Sequence, residues 1–149
     1  MWYNFVMSAK DKFHQQVRDA LVREGWVITH DPYRIVIGKR KAYIDLGAEM
    51  PLAAEKEGRK IAVEIKSFLG ISLLDDLEDA LGQYGMYQAV LELRDPERTL
   101  YLAAPMSERE ELLDEKDLRH ILRKFHARLI FYDPQGQEAL EWIEPTNFA

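Results

Sequence analysis

The sequence predicts an α/β domain with a mixed central sheet flanked by helices, closed by a C-terminal helix and a β-hairpin. Three observations predict it. The run Lys60 to Phe68 (KIAVEIKSF) alternates as a strand, with Ile61, Val63 and Ile65 on one face and Glu64 and Lys66 on the other. A long amphipathic helical segment follows, and then a continuous apolar run, Thr99 to Ala104, that suits a buried parallel neighbour of the first strand. The chain has 149 residues, 47% of them hydrophobic and 31% charged, which is enough for one domain with a proper core.

The elements follow in order. Ser8 with Asp11 is a variant capping box, and Phe13, Val17, Ala20, Leu21 and Glu24 recur at helical spacing before Gly25, so a helix is expected over 9–24. Trp26 to Thr29 reads as a short strand broken by His30-Asp31-Pro32. Tyr33 to Ile37 is a second strand, Gly38-Lys39-Arg40-Lys41 a basic turn, and Ala42 to Leu46 a third strand. Leu52 to Glu55 and Arg59 to Phe68 are expected to pair around Lys56-Glu57-Gly58. Ser72 with Asp75 caps a helix reaching about Leu93, with Leu74, Leu77, Leu81, Tyr84 and Leu91 on its apolar side, and Asp95-Pro96 ends it. Ser107 with Glu110 opens a polar helical region to about Ala127, broken near Asp114. Arg128 to Tyr132 and Ala139 to Ile143 form a closing hairpin around Asp133-Pro134-Gln135-Gly136. There are no repeats and no linker, so 1–149 reads as one domain, with 1–6 as an N-terminal extension.

Composition narrows the function. The absence of cysteine removes disulfides, thiolate zinc sites and thiol catalysis, and it fits the cytoplasm. No apolar run approaches the roughly 18 residues needed to cross a bilayer. A net charge of −6 argues against coating DNA by bulk charge, but not against a metal-dependent nuclease, whose site is itself acidic.

The chemistry is concentrated around Glu64. A charge on a strand this apolar needs a partner, because an unpaired buried carboxylate costs several kcal/mol. Asp45 ends a strand upstream, and Glu49 and Glu55 follow it. Two carboxylates and the carbonyl of Ile65 make a hard oxygen site suited to Mg²⁺ or Mn²⁺. Lys66 can orient a water or offset phosphate charge. On the following helix Gln83 and Tyr87 lie one turn apart on one face, able to support such a site. Gly82 and Gly85 in that helix each cost about 1 kcal/mol against alanine, which close approach or simple tolerance would explain.

These residues resemble the PD-(D/E)XK nuclease superfamily, whose pattern is an acid, a spacer and (Asp or Glu)-x-Lys on a restriction-endonuclease-like αβββαβ core. The resemblance aligns Asp45 and Glu64-Ile65-Lys66 with that pattern, and Gln83-x-x-x-Tyr87 with the signature of the RecB-like branch. It implies metal-dependent phosphodiester hydrolysis, with Asp45, Glu64 and Ile65 as metal ligands and Lys66 handling the attacking water. Two departures stand: Ile44 replaces the usual proline before Asp45, and the 45-to-64 spacing is long for a simple hairpin, which keeps Glu49 open as the first acid.

A narrower resemblance covers nearly the whole chain from Met7. Met7 to Pro32 (MSAKDKFHQQVRDALVREGWVITHDP), Tyr43 to Glu49 (YIDLGAE), Ala53 to Gly70 (AAEKEGRKIAVEIKSFLG) and Leu129 to Ile143 (LIFYDPQGQEALEWI) resemble the XisH family of fdxN element excision controlling factors. The resemblance implies a cyanobacterial, cytoplasmic protein that helps a site-specific recombinase excise a DNA element, with a XisI-type protein as partner. DNA is then the substrate class, a homodimer is compatible, and no membrane is involved. Two other readings are a non-catalytic regulatory factor acting through the XisI-type partner, using exposed aromatics such as Trp142 and Phe148, and a toxin-like nuclease restrained by that partner. Elsewhere, His14 reads as a hydrogen-bonded helix residue and His30-Asp31-Pro32 as a turn. Lys39-Arg40-Lys41 reads either as a solvated hairpin tip or as a grip for phosphates. Arg119, Arg123 and His126 are expected on one basic helical face, with His120, Lys124 and Arg128 nearby.

Overall fold

The computed structural model describes residues 9–51 and 58–145. The expected extension at 1–6, the Ser8 cap, the strand Leu52 to Glu55, the turn residues Lys56 and Glu57, and Phe148 lie outside the described residues. The order is α1 (Ala9–Arg23), β1 (Val27–His30), β2 (Tyr33–Ile37), β3 (Arg40–Ile44), β4 (Leu46–Met50), β5 (Arg59–Ile65), α2 (Leu73–Arg94), β6 (Arg98–Pro105), α3 (Arg109–Asp114), α4 (Lys116–Lys124), β7 (Leu129–Tyr132) and β8 (Glu141–Ile143). Among the described residues, six strands form one sheet in the order β1-β4-β5-β6-β7-β8, and β2-β3 form a separate two-stranded ribbon. The sheet is mixed: β5, β6 and β7 are parallel, and the other pairings are antiparallel. It is an α/β fold with helices on both faces.

Strand alternation divides the core in two. Ile61, Val63 and Ile65 of β5 pack with Val17, Ala20 and Leu21 of α1. Ala62 on the opposite face packs with Leu77, Ala80, Leu81, Tyr84 and Leu91 of α2, with Leu112, Leu118 and Leu122 of α3 and α4, and with Ile35 and Ile44 of the ribbon. Glu64 therefore points to the α2 side. Ser72 caps α2, its hydroxyl accepting from the Asp75 amide at 3.2 Å. Gly25 ends α1 with φ of 97°, a conformation that a side chain would resist.

The structure corrects several expectations. The chain bends at Asp45, and a strand not expected from the sequence, Leu46–Met50, pairs with β5, from Leu46 opposite Val63 to Met50 opposite Arg59. This strand is rich in small residues of low β propensity, so its local signal is weak. Gly47 has a packing reason: a Cβ there would lie 2.9 Å from the Tyr33 ring. Leu74 is half exposed rather than on the apolar side of α2, and Leu73 packs there instead. Ser107 sits in a 3₁₀ turn, Met106–Glu108, and does not cap α3. The polar helical region does break where expected, after Asp114, at an extended Glu115. His126 lies beyond the end of α4 in a left-handed conformation, φ 50°, so it leaves the Arg119–Arg123 face. No close approach explains Gly82 and Gly85, since a Cβ on either would meet open space. Trp142 faces inward: its indole N–H donates to Glu24 at 3.0 Å, and its ring stacks on Trp26.

At the N-terminal end of β6, Arg98 is 5% exposed. It donates to Asp95 and to the Ile61 carbonyl, both at 2.8 Å, and lies over the Tyr33 ring. Tyr33 in turn donates to Asp95 at 2.8 Å. One buried guanidinium thus ties the ribbon base, β5 and the end of α2 together.

Candidate active site

Register alone brings the first acid to the second. Because Leu46 opposes Val63, the preceding residue, Asp45, lies beside Glu64. The β4 strand and the connection after it account for the long sequence spacing between them. Two backbone amides lock the pair. The Asp45 amide donates to Glu64 Oε1 at 3.3 Å, and the Ile65 amide donates to Asp45 Oδ2 at 2.8 Å. Lys66 Nζ lies 3.6 Å from Glu64 Oε2.

The electrostatics follow from burial. Glu64 is 6% exposed, and its carboxyl is pushed up to about 8, first by burial and then by the charge of Asp45, with Lys66 offsetting part of this. One ammonium thus faces two carboxylates in a largely dry place. Tyr87 belongs to the same field: burial raises its hydroxyl, and the charges of Glu64 and Asp45 raise it further. Gln83 sits one turn earlier on α2 with its Oε1 buried and unpartnered among the described residues. The structure therefore gathers Asp45, Glu64, Ile65 and Lys66, with Tyr87 in their field and Gln83 on the same helix face.

Other candidates separate from the site. Glu49 pairs across from Lys60, and its carboxylate is 3.6 Å from Arg98, near the far end of β5. Glu55 lies outside the described residues. His14 Nε2 is 2.7 Å from Asp31, which Arg18 also binds. His14 nevertheless lines a pocket of about 150 Å³ with Lys10, Asp11, Phe13, Asp45, Ile65 and Ser67 on the α1 side.

One residue carried no signal in the sequence. Tyr132, at the end of β7, donates to the Lys66 carbonyl at 2.9 Å, while the Lys66 amide donates to Ala103 at 2.8 Å. The two bonds fix the backbone that carries Lys66. In the sequence Tyr132 looks like any core aromatic of a closing strand.

Among the described residues no three His, Cys, Asp or Glu side chains group to hold a metal. The donor set is two carboxylates and a backbone carbonyl. A hard divalent cation fits that set, because all three donors are oxygens and two of them belong to carboxyl groups held side by side.

The family described as XisH protein matches residues 7–140. An XisH family protein from Nostoc punctiforme PCC 73102 has a similar structure, with a TM-score of 0.78 and 36% identity, covering 89% of this chain and 99% of that one. A fdxN element excision controlling factor protein from Anabaena variabilis is similar at a TM-score of 0.79 and 34% identity, covering 90% and 99%. No curated protein matches. With one fold and one family profile shared over nearly its whole length, the chain belongs to the XisH family.

Proposed function

We propose that this chain is a metal-dependent DNA endonuclease of the restriction-endonuclease-like, PD-(D/E)XK type, acting in the excision of a DNA element. One observation carries the reading: two carboxylates, Asp45 at the bend before β4 and Glu64 on β5, are held side by side by backbone amides, with Lys66 two residues further on. A surface ion pair needs no such arrangement. The raised Glu64 carboxyl adds support, since perturbed groups concentrate where chemistry is done.

Asp45, Glu64 and the Ile65 carbonyl would hold Mg²⁺ or Mn²⁺. Such an ion, when bound, supplies charge neutralisation and a more acidic water. Glu64 would hold the ion as a carboxylate, and Lys66 Nζ, 3.6 Å from its Oε2, lies beside the position the ion would take. Lys66 could then orient the attacking water or offset charge on the phosphate. Tyr87, which feels the charges of Glu64 and Asp45, would orient the lysine or touch a phosphate oxygen, with Gln83 one turn away in support. Tyr132 acts through Lys66, as a positioning residue.

The name of the Anabaena variabilis relative supports a place in element excision. By the same family resemblance, a XisI-type protein and a site-specific recombinase are the proposed partners, in the cytoplasm. No helix among the described residues is long and apolar enough to cross a membrane.

Calorimetric titration of Mg²⁺ or Mn²⁺ into the wild type and Glu64→Ala tests the site. Binding that disappears in the variant is the expected result. No binding by the wild type, with or without duplex DNA, overturns the metal reading. Lys66→Ala should abolish cleavage and leave the fold intact, and unchanged cleavage would rule out its proposed role.

A further inference from the structure

We infer that the β2-β3 ribbon is the arm that holds double-stranded DNA against the candidate site, through Arg34, Lys39, Arg40 and Lys41. The inference rests on the nuclease reading and says how the substrate is engaged.

The ribbon has two unlike sides. Cross-strand register pairs Tyr33 with Ile44, Ile35 with Ala42, and Ile37 with Arg40 on one side, and Arg34 with Tyr43 and Val36 with Lys41 on the other. Ile35 and Ile44 are buried in the α2-side core, so the first side faces inward. The second side faces solvent: Arg34 and Lys41 are exposed, and Tyr43 is 51% exposed. Lys39 stands at the turn, and Arg40, although on the inner side by register, is exposed near the tip.

Charge singles this element out. Between Tyr33 and Ile44 there are four cations and no carboxylate, in a chain of net charge −6. Among the described residues, no ion pair engages any of the four. The basic stretch on α4 differs, because it follows the acidic run from Glu108 to Asp117, and Arg123 bonds His120. A polyanion approaching an acidic protein with two carboxylates in its site needs local positive charge to dock, and a row of unpaired cations supplies it.

Shape and position agree. A two-stranded ribbon fits the major groove of B-DNA, about 12 Å wide, but not the deep, narrow groove of an RNA duplex. The chain passes directly from Ile44, the last ribbon residue, into Asp45. At about 3.4 Å per residue, Tyr43 lies roughly 7 Å and Lys41 roughly 14 Å along the chain from Asp45. Phosphates advance about 3.4 Å per nucleotide along one strand of the duplex axis. A phosphate held at Lys41 would thus lie about four nucleotides from the one at the site.

The test is fluorescence anisotropy of a labelled DNA duplex across a salt series, without divalent metal. It compares the wild type, the triple variant Arg34→Ala/Lys39→Ala/Lys41→Ala, and the control Arg119→Ala/Lys124→Ala on α4. The triple variant should lose affinity about tenfold or more, and its salt dependence should become shallower by roughly 2 to 3 in log–log slope, with the control unchanged. Wild-type binding by the triple variant, or equal losses in both variants, overturns the inference. If the triple variant also melts early, Lys39→Gln at the exposed turn decides by the same readout. Cleavage by the wild type together with normal binding by the triple variant would sink the ribbon alone. A wild type that neither binds nor cleaves duplex DNA would sink the nuclease reading and the ribbon with it.

Discussion

Glu64→Gln should change how stability depends on pH, and the structure sets the sign. The folded Glu64 carboxyl sits at about 8, against an ordinary value of 4.5. Between these values the folded chain keeps a proton that the unfolded chain has released. Ionisation therefore favours unfolding, and wild-type stability falls as pH rises through this window. A displacement from 4.5 to about 8, at about 1.36 kcal/mol per pH unit, sets a ceiling of roughly 5 kcal/mol. Lys66, at 3.6 Å, is already counted in that value, and local relaxation and water penetration bring the expected figure down to about 2 to 3 kcal/mol. Glutamine keeps an oxygen for the Asp45 amide and never ionises. The two proteins should therefore be nearly equal near pH 5, with the variant pulling ahead toward pH 9. Urea unfolding of both proteins at several pH values measures the difference. Mg²⁺ should restore much of the wild-type loss at high pH and leave the variant unmoved. A stability difference that stays flat across the pH range would refute the argument, because it would mean that Glu64 ionises freely in the folded protein.

Three further outcomes are expected. Gly82→Ala and Gly85→Ala should each stabilise α2 by about 0.5 to 1 kcal/mol, because both positions are exposed and open, and thermal melting would show it. Arg98→Ala should cost about 3 kcal/mol, since it strips partners from Asp95 and the Ile61 carbonyl, and chemical denaturation would register the loss. Tyr132→Phe should cost about 1 kcal/mol by leaving the Lys66 carbonyl unpaired. It should also slow cleavage without weakening duplex binding, a split that a purely structural role would not produce.

The legible parts of this chain were those with strong local signals. The Ser72 cap, the apolar spacing of Leu77, Leu81 and Tyr84, and the alternation of Ile61, Val63 and Ile65 each name their element without help from the rest of the fold. Glu64 and Lys66 were conspicuous because charge on so apolar a strand demands a partner. The strand Leu46–Met50 was not legible, because Leu-Gly-Ala-Glu-Met has little intrinsic β preference and owes its conformation to pairing on both sides with β1 and β5. Missing it left the Asp45-to-Glu64 spacing unexplained and Glu49 open as a rival. Ser107 misled for the opposite reason: a good local capping pattern lost to a 3₁₀ turn that leads out of β6. Tyr132 was invisible because its task depends on the Lys66 carbonyl, which is far away in sequence.

The ribbon leaves the sheet after β1 and returns at β4, and those two strands are hydrogen-bonded neighbours. Its departure and re-entry points therefore nearly coincide, like the two ends of a cloverleaf ramp on one road. Residues can be exchanged or added at the exposed tip beside Gly38, whose own φ of 64° favours glycine, without shifting the Leu46–Val63 register that seats Asp45 beside Glu64. Within this architecture, the tip can diversify while the carboxylate pair stays fixed.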